Sequence, residues 1–181
     1  MRGVRELLEV ADPQPAAARL NAARAPALTL VAVMGSGRSV DEAPEWARAL
    51  LARERVARLG LIDDAGAPRV LPVTFALVGG RLVSAVDQKP KRVTGGQLAR
   101  VRWLRMRPRA ALTVDRYEED WSRLAWVQAL GSVLVLHPAE APDAVAALVA
   151  RYVQYRERAP EGPLLMLEPE RLLWWRASAG H

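Results

Sequence analysis

Apolar residues recur along the chain with two different periods, about two residues in some segments and 3.6 in others. The first period predicts β-strands and the second predicts α-helices. Short apolar or alternating stretches bounded by turn residues are typical of β-strands. They lie at 55–62, 69–78, 81–86, 109–117, 124–136 and 163–177, the last holding one or two strands. Apolar residues at helical spacing predict three helices, at 41–55, 93–106 and 141–158. Strands therefore dominate, and each helix separates one group of strands from the next.

Turn residues between the strands predict how the strands pair. The stretch DDAGAP (Asp63–Pro68) and the pair Gly79–Gly80 are short, turn-forming connections of the kind that joins hairpins. Consecutive hairpins with few crossovers predict an antiparallel sheet, closed as a barrel so that few strand edges are exposed. Pro72 has no N–H to donate, so its strand should lie at an edge or be bulged. The expected fold class is mainly β with α.

Residues 1–38 differ from the rest of the chain, being rich in Ala, Pro and Arg with little sustained periodicity. We expect a loosely ordered N-terminal extension there and one domain over residues 39–181. A further hypothesis is that translation starts at Met34, with residues 1–33 absent from the native protein. The apolar run Ala25–Met34 is about ten residues long, too short to cross a bilayer. We therefore expect a cytoplasmic protein with no membrane partner.

The composition excludes several kinds of catalytic and metal-binding sites. The chain has no cysteine, and one of its two histidines is the last residue, His181. Disulfides, thiolate ligands and cysteine nucleophiles are therefore excluded, and a histidine-based metal site or catalytic triad nearly so. We expect no metal, and an organic cofactor as the source of any demanding chemistry. The net charge of +6 favours anionic partners.

The only two lysines of the chain fall within the six residues DQKPKR, where Lys89 and Lys91 stand beside Arg92. This stretch joins a predicted strand to a predicted helix, and Thr94 follows in the first helical turn. A helix N-terminus with unpaired N–H donors and adjacent cations is a natural phosphate site. A solvated charged loop is the alternative interpretation.

Two further stretches are candidates for binding. Five arginines between residues 100 and 109 could contact nucleic acid, but they point to several helix faces, so we favour a solvated helix and expect no nucleic-acid partner. In the acidic and aromatic loop DRYEEDW, Tyr117, Asp120 and Trp121 could line a pocket, with Trp121 covering a planar ligand. The alternative is that the tryptophans of this region plug the barrel or contact a second subunit.

The chain resembles the pyridoxamine-5′-phosphate-oxidase-like split β-barrel superfamily, and within it the coenzyme F420-dependent subgroup. The resemblance covers roughly Asp41 to Arg176. It rests on four segments: RVARLGLIDDAGAPRVLPVTFAL, LVSAVDQKPKRVT, RPRAALTVDRYEEDWSRLAWV and YVQYRERAPEGP. It implies an FMN-binding split barrel over residues 39–181, with the cofactor in a groove at a homodimer interface.

The resemblance also implies which residues would bind the cofactor. Carried over by position, Thr74 is a contact on the second predicted strand, and Val86 and Asp87 are contacts where the third ends. Lys91 and Arg92 occupy the positions of a basic pair that grips the phosphate.

The basic stretch also departs from the family pattern. Pro90 stands where many members have a hydroxyl residue, which removes one expected phosphate contact that Thr94 could replace. Lys89 has no firm counterpart, and we assign it to the phosphate or to the acidic tail of F420.

The implied function is an F420-dependent oxidoreductase that transfers a hydride between the deazaflavin and a small electron-poor organic acceptor. Tyr117 and Asp120 are the candidate proton donors, with solvent as an alternative source. An FMN-dependent oxidoreductase of the same fold remains open. So does a non-catalytic carrier of a flavin, a deazaflavin or haem.

Overall fold

The computed structural model describes residues 30–86 and 98–179, which form eight strands and four α-helices. The strands are β1 (Leu30–Gly37), β2 (Val56–Ile62), β3 (Pro68–Thr74), β4 (Ala76–Val78), β5 (Arg81–Ala85), β6 (Arg109–Arg116), β7 (Ala125–Leu136) and β8 (Leu164–Ala179). The helices are α1 (Glu45–Arg53), α2 (Ala99–Met106), α3 (Pro142–Arg151) and α4 (Val153–Glu157). Short 3₁₀ turns cover Trp121–Arg123 and Pro138–Glu140.

All strands join one antiparallel sheet in the order β3-β2-β6-β7-β8-β5-β4, with β1 added to β8. The sheet is curled, and its longest strand, the 16-residue β8, pairs with β5 over its first part and with β1 over its last. The register between β7 and β8 shifts at Leu130/Gly131. Gly131 suits this shift because a Cβ there would collide with the Glu168 carbonyl oxygen.

Two apolar clusters fill the two sides of the β4–β5 region. The larger lies inside the curled sheet and includes Leu51 of α1, Leu104 of α2 and Phe75, which is fully buried between β3 and β4. The smaller lies under α3, where Leu148 packs with Val83 and other residues of β4, β5 and β8. The helices therefore cover apolar sheet surface and are held mainly by packing.

The structure confirms the antiparallel, mainly β class and the edge position of the strand that contains Pro72, because β3 ends the sheet order. The expected element bounds change in three places. The stretch 69–78 is two strands separated at Phe75, and 141–158 is two helices separated at Tyr152. The last residues of the expected extension form β1 along β8, so the sheet begins earlier than the sequence predicts. None of the helices in the described ranges is long and apolar enough to cross a membrane.

Candidate functional site

The predicted contact Thr74 lies at the point where strand β3 ends at the edge of the sheet. Its hydroxyl is 3.0 Å from the Tyr155 hydroxyl on α4, a partly buried contact between residues 81 positions apart. Thr74 pairs with Val56, the first residue of β2, so this end of β3 lies beside the start of β2. The Thr74 side chain is therefore held in position by a helix far away in the sequence.

The predicted contact Val86 directly follows β5, and its side chain is buried. The Val86 N–H donates to the Pro163 carbonyl oxygen at 3.0 Å, which ties the end of β5 to the start of β8. A Cβ on Gly162 would collide with the Val86 carbonyl oxygen, so only glycine fits there without displacement. Val86 thus sets where the chain leaves the sheet, while its side chain belongs to the core.

Tyr152 lies at the break between α3 and α4 and meets the break between β3 and β4. Its hydroxyl accepts a hydrogen bond from the Phe75 N–H at 2.9 Å. The carbonyl oxygens of Phe75 and Arg55 lie 2.7 Å and 2.8 Å from the same hydroxyl, and its one proton serves one of them at a time. The Tyr152 and Tyr155 rings pack edge to face with centroids 5.6 Å apart. A single buried hydroxyl therefore provides hydrogen-bond partners for the backbone groups at the point where the two strands separate.

Arg151, the residue before Tyr152, extends this contact to helix α1. Its guanidinium donates to the carbonyl oxygens of Leu51 and Glu54 at the end of α1 and stacks over the Phe75 ring, 4.8 Å from the centroid. Arg55 in turn donates to the Arg151 carbonyl oxygen. We refer to Arg151, Tyr152 and Tyr155 as the helix junction. It holds α1, β2 and β3 together beside Thr74.

The helix junction differs from what the sequence predicts. Helical periodicity predicts one continuous helix over residues 141–158, and this pattern does not account for the Tyr152 hydroxyl. The signal that could have revealed it is the segment YVQYRERAPEGP, since two tyrosines three positions apart precede a glycine between polar residues and proline. The structure shows that this segment supplies Tyr152 and Tyr155 to the end of β3, and Gly162 and Pro163 to the end of β5.

Five of the predicted cofactor contacts lie outside the described residues and stay predictions: Asp87, Lys89, Lys91, Arg92 and Thr94. Pro90, which departs from the family pattern, also lies outside them. The chain enters this segment from Val86 and leaves it at Leu98, the N-cap of α2. Helix α2 packs against β2 and β7. The basic segment therefore connects the end of β5 to a helix on the other part of the sheet.

The arginines that follow this segment are partly taken up by the protein itself. Arg102 pairs with Asp64 at 3.3 Å, Arg107 donates to the Asp63 carbonyl oxygen, and Arg109 pairs with Glu170. These contacts agree with the expected solvated helix. The other two arginines of this stretch, Arg100 and Arg105, show no such contact within the described residues.

The loop after β6 carries the other predicted site residues. The side chains of Tyr117 and Trp121 are 76% and 66% exposed, so neither plugs the barrel of its own chain. Asp120 caps the short turn that begins at Trp121, accepting from the Ser122 hydroxyl at 2.6 Å and from the Ser122 N–H at 3.0 Å. These two hydrogen bonds hold the pKa of Asp120 below its ordinary value, and the bond from the Ser122 hydroxyl has the larger effect. Asp120 is therefore ionised near neutral pH and has no proton to donate there.

The loop and the sheet edge are thus two separate arrangements on this chain. The edge presents a half-buried hydroxyl at the end of β3, a strand that contacts β5, whereas the loop presents exposed aromatic side chains. His137 serves neither, because its Nδ1 caps the turn at Pro138–Glu140 by accepting from the Ala139 N–H at 3.2 Å. Among the described residues, no group of His, Cys, Asp and Glu side chains could hold a metal ion.

No family model and no curated protein sequence matches the chain. Its structure is similar to a heme-binding protein from Mycobacterium smegmatis, with 21% identity over 75% of this chain and 57% of that one and a TM-score of 0.59. It is also similar to a FAD-binding protein from Mesorhizobium loti, with 18% identity over 82% and 98% of the two chains and a TM-score of 0.55. A third similar structure is that of a proposed pyridoxamine 5′-phosphate oxidase from Listeria innocua. It has 15% identity over 69% of this chain and 91% of that one, with a TM-score of 0.51.

The chain has a split β-barrel fold. This confirms the expected fold class, and it confirms the resemblance at the level of the fold that the superfamily shares. The split barrel described here spans 57% of the length of the heme-binding protein, so it corresponds to part of that molecule. Assignment to the F420-dependent subgroup stays a prediction.

Proposed function

We propose that the protein binds a flavin-type cofactor at the sheet edge beside Thr74 and acts as an oxidoreductase. The observation that carries this proposal is the Thr74 hydroxyl, held by Tyr155 where β3 ends. The lysine-rich segment departs from the end of β5, a strand that contacts β3. A hydroxyl with an adjacent ammonium and guanidinium is a donor set suited to a phosphate group. The split-barrel fold supports the proposal, because a protein of this fold binds FAD.

We further propose that the preferred cofactor is coenzyme F420, with FMN as the alternative. F420 carries a phosphodiester, a lactyl group and an oligoglutamate tail, so its non-ring portion needs more cations than FMN does. Lys89, Lys91 and Arg92 would bind that portion, and Arg100 can assist more readily than Arg102, which already pairs with Asp64. Each charge-assisted hydrogen bond contributes about 1.5–3 kcal/mol where it is partly desolvated.

The bound deazaflavin would supply the hydride for a small electron-poor organic acceptor. The residues of the chain would orient cofactor and acceptor and exclude water. Because Asp120 is ionised near neutral pH, Tyr117 or solvent is the better source of a proton for the reduced product.

Titration of the purified protein with F420 and with FMN, read by fluorescence, tests the cofactor site. We expect the double variant Lys91→Ala/Arg92→Ala to bind at least about tenfold more weakly than the unchanged protein. The matched control is Arg48→Ala/Arg105→Ala, which removes two positive charges from exposed helix positions. Equal binding by the first variant and the unchanged protein would reject the site, and tighter binding of FMN than of F420 would favour the flavin alternative.

A non-catalytic carrier is the second candidate function, and the likeness to a heme-binding protein favours haem as its ligand. Absorption spectra separate the two functions. A Soret band that appears with stoichiometric hemin, without binding of F420 or FMN, would replace the oxidoreductase proposal. F420 binding without turnover across a broad panel of enones and quinones would instead indicate a deazaflavin carrier.

We also propose that the protein is a homodimer with the cofactor site at the interface. The outer face of β7 and β8 supports this, because Trp126 lies opposite Trp175 across the two strands and Leu134, farther along β7, is 43% exposed. In such a dimer, the exposed Tyr117 and Trp121 of one protomer would reach the cofactor of its partner.

Mixed dimers test whether the site is shared between protomers. A heterodimer of a Lys91→Ala/Arg92→Ala chain and a Trp121→Ala chain would contain one complete site if loop and basic segment come from different protomers. We then expect half of the normal F420 capacity at full affinity. The absence of any site with full affinity would show that the loop serves its own chain, and a monomer by analytical ultracentrifugation would overturn the dimer.

A further inference from the structure

A cavity of about 440 Å³ lies along one face of helix α1, apart from the proposed cofactor edge. Trp46, Ala49, Leu50 and Arg53 line it at the i, i+3, i+4 and i+7 positions of a single helical face. The opposite wall comes from the end of β6, the 3₁₀ turn and its C-cap, and the last part of β8. Of the predicted cofactor contacts that the structure describes, none lines this cavity, which we call the α1 pocket.

Four arginines line the α1 pocket, and two of them are neutralised by carboxylates of the chain. Arg116 pairs with Glu54, and Arg123 pairs with Glu118, both at 3.2 Å. These two guanidinium groups contribute little net charge to the space between the walls.

The two remaining arginines have no carboxylate partner within the described residues. Arg53 is exposed at the end of α1. Arg176 lies over the Trp46 ring, 5.1 Å from its centroid, and its Nε is buried without an acceptor in the described part of the chain. The cation–π contact holds the guanidinium against the wall. The exposed Arg53 guanidinium and the terminal nitrogens of Arg176 thus retain donors that a ligand could use.

The charge of the α1 pocket indicates the charge of its ligand. Its walls hold two uncompensated guanidinium groups and one carboxylate, that of Glu45, which leaves a net charge of one positive unit. A carboxylate ligand carries one negative charge near neutral pH and balances it. A phosphate monoester carries between about −1.5 and −2 at that pH, so it would leave excess negative charge next to Glu45.

We propose that the α1 pocket binds a small apolar monocarboxylate. Its carboxylate pairs with Arg53 and Arg176, because a planar guanidinium matches the two oxygens of a carboxylate. Its apolar body lies against Ala49, Leu50 and Leu124. This site is additional to the cofactor site, and the proposal does not depend on the identity of the cofactor.

Isothermal titration of the full-length, cofactor-free protein tests the ligand class with three probes of one shape. Benzoate is the anion, benzamide the neutral analogue and benzylamine the cation. We expect saturable 1:1 binding of benzoate, binding of benzamide weaker by at least about tenfold, and no binding of benzylamine. Benzamide binding as tight as that of benzoate, or no saturable benzoate binding, would overturn the proposal.

Matched arginine variants test the location. Arg53→Gln removes an exposed side chain, so folding should be unaffected, and it should weaken benzoate binding by about tenfold or more. Arg176→Gln should do the same, with a thermal melt as the check on folding. Arg48→Gln, on the same helix but outside the pocket lining, should leave benzoate binding unchanged. Equal weakening by Arg48→Gln and Arg53→Gln would show unspecific attraction and overturn the site.

Discussion

The sheet edge at Thr74 and the loop at Tyr117–Leu124 differ in what holds them. At the edge, the hydroxyls of Tyr152 and Tyr155 bond to residues 77 to 97 positions away in the chain. In the loop, the cap formed by Asp120 binds a residue two positions away. The edge is therefore part of the cooperative core, whereas the exposed side chains of the loop can be substituted at little cost in folding stability. A site assembled from both would combine a rigid phosphate end with an adaptable aromatic cover.

The largest expected effect comes from placing a methyl group at the sheet edge. Gly162→Ala should lower the free energy of unfolding by about 3 kcal/mol, because the added Cβ collides with the Val86 carbonyl oxygen. Gly60→Ala is the matched control, since a Cβ there has its nearest neighbour at 3.7 Å, an ordinary contact. Urea unfolding of both variants measures the difference. If both variants are equally stable, the tight packing at the edge is refuted.

The same conservative substitution in the two regions gives the sharpest comparison. Tyr152→Phe removes the acceptor of the buried Phe75 N–H, so we expect a loss of about 2 kcal/mol in the free energy of unfolding. Tyr117→Phe removes an exposed hydroxyl and should change it by less than about 0.5 kcal/mol. Denaturant curves of the two variants provide the measurement. Similar losses in both would mean that the loop is held as firmly as the edge.

The pH dependence of stability should show a small contribution from the loop. The pKa of Asp120 in the folded protein lies below its ordinary value of 3.8, so the unfolded chain binds its proton first as the pH falls. Asp120 therefore stabilises the fold above that value, and its contribution is lost as the pH falls through the lowered pKa. Asp120→Asn should be less stable than the unchanged protein near neutral pH, and the difference should shrink below pH 3.8. A difference that grows on acidification contradicts the capping role.

The smallest expected effect on stability is that of Trp121→Ala. Because this side chain is 66% exposed, the free energy of unfolding should change by no more than about 0.5 kcal/mol. Its effect should appear in cofactor affinity, with F420 or FMN bound about two- to tenfold more weakly if the ring covers the cofactor. Fluorescence titration measures this, and Trp121→Phe, which keeps an aromatic ring, should retain most of the affinity. Unchanged affinity in both variants would separate the loop from the site.

Elements set by neighbouring residues were predicted correctly from the sequence, whereas contacts between residues far apart in the chain were not. Gly79 and Gly80 have the positive φ angles that a hairpin turn requires, and alternation of apolar residues located β2, β6 and β7. Helical periodicity alone did not predict the break at Tyr152, where the hydroxyl accepts a hydrogen bond from Phe75, 77 positions away. The pairing of β1 with β8 was missed for the same reason, since its partner lies at the other end of the chain.

The candidate site divides in the same way. Thr74 and Val86 were identified through a resemblance between segments, and the structure shows that one offers its hydroxyl while the other is buried in the core. Asp120 was a candidate proton donor on the basis of residue type. Its hydrogen bonds to Ser122 lower its pKa further and make it the cap of a turn. Residue type indicates which chemistry is available, but the role of a side chain depends on the partners that folding brings near.

By itself, the sequence determined an antiparallel, strand-rich fold, the absence of cysteine chemistry and one segment rich in lysine. Those properties follow from composition and from periods of two and 3.6 residues, which each segment carries independently of the others. Only the tertiary structure decided that the helix junction holds Thr74 and that Arg53 and Arg176 share one pocket. Such groups meet because the curled sheet and its covering helices bury apolar surface together, and this packing selects neighbours without regard to their separation in the chain.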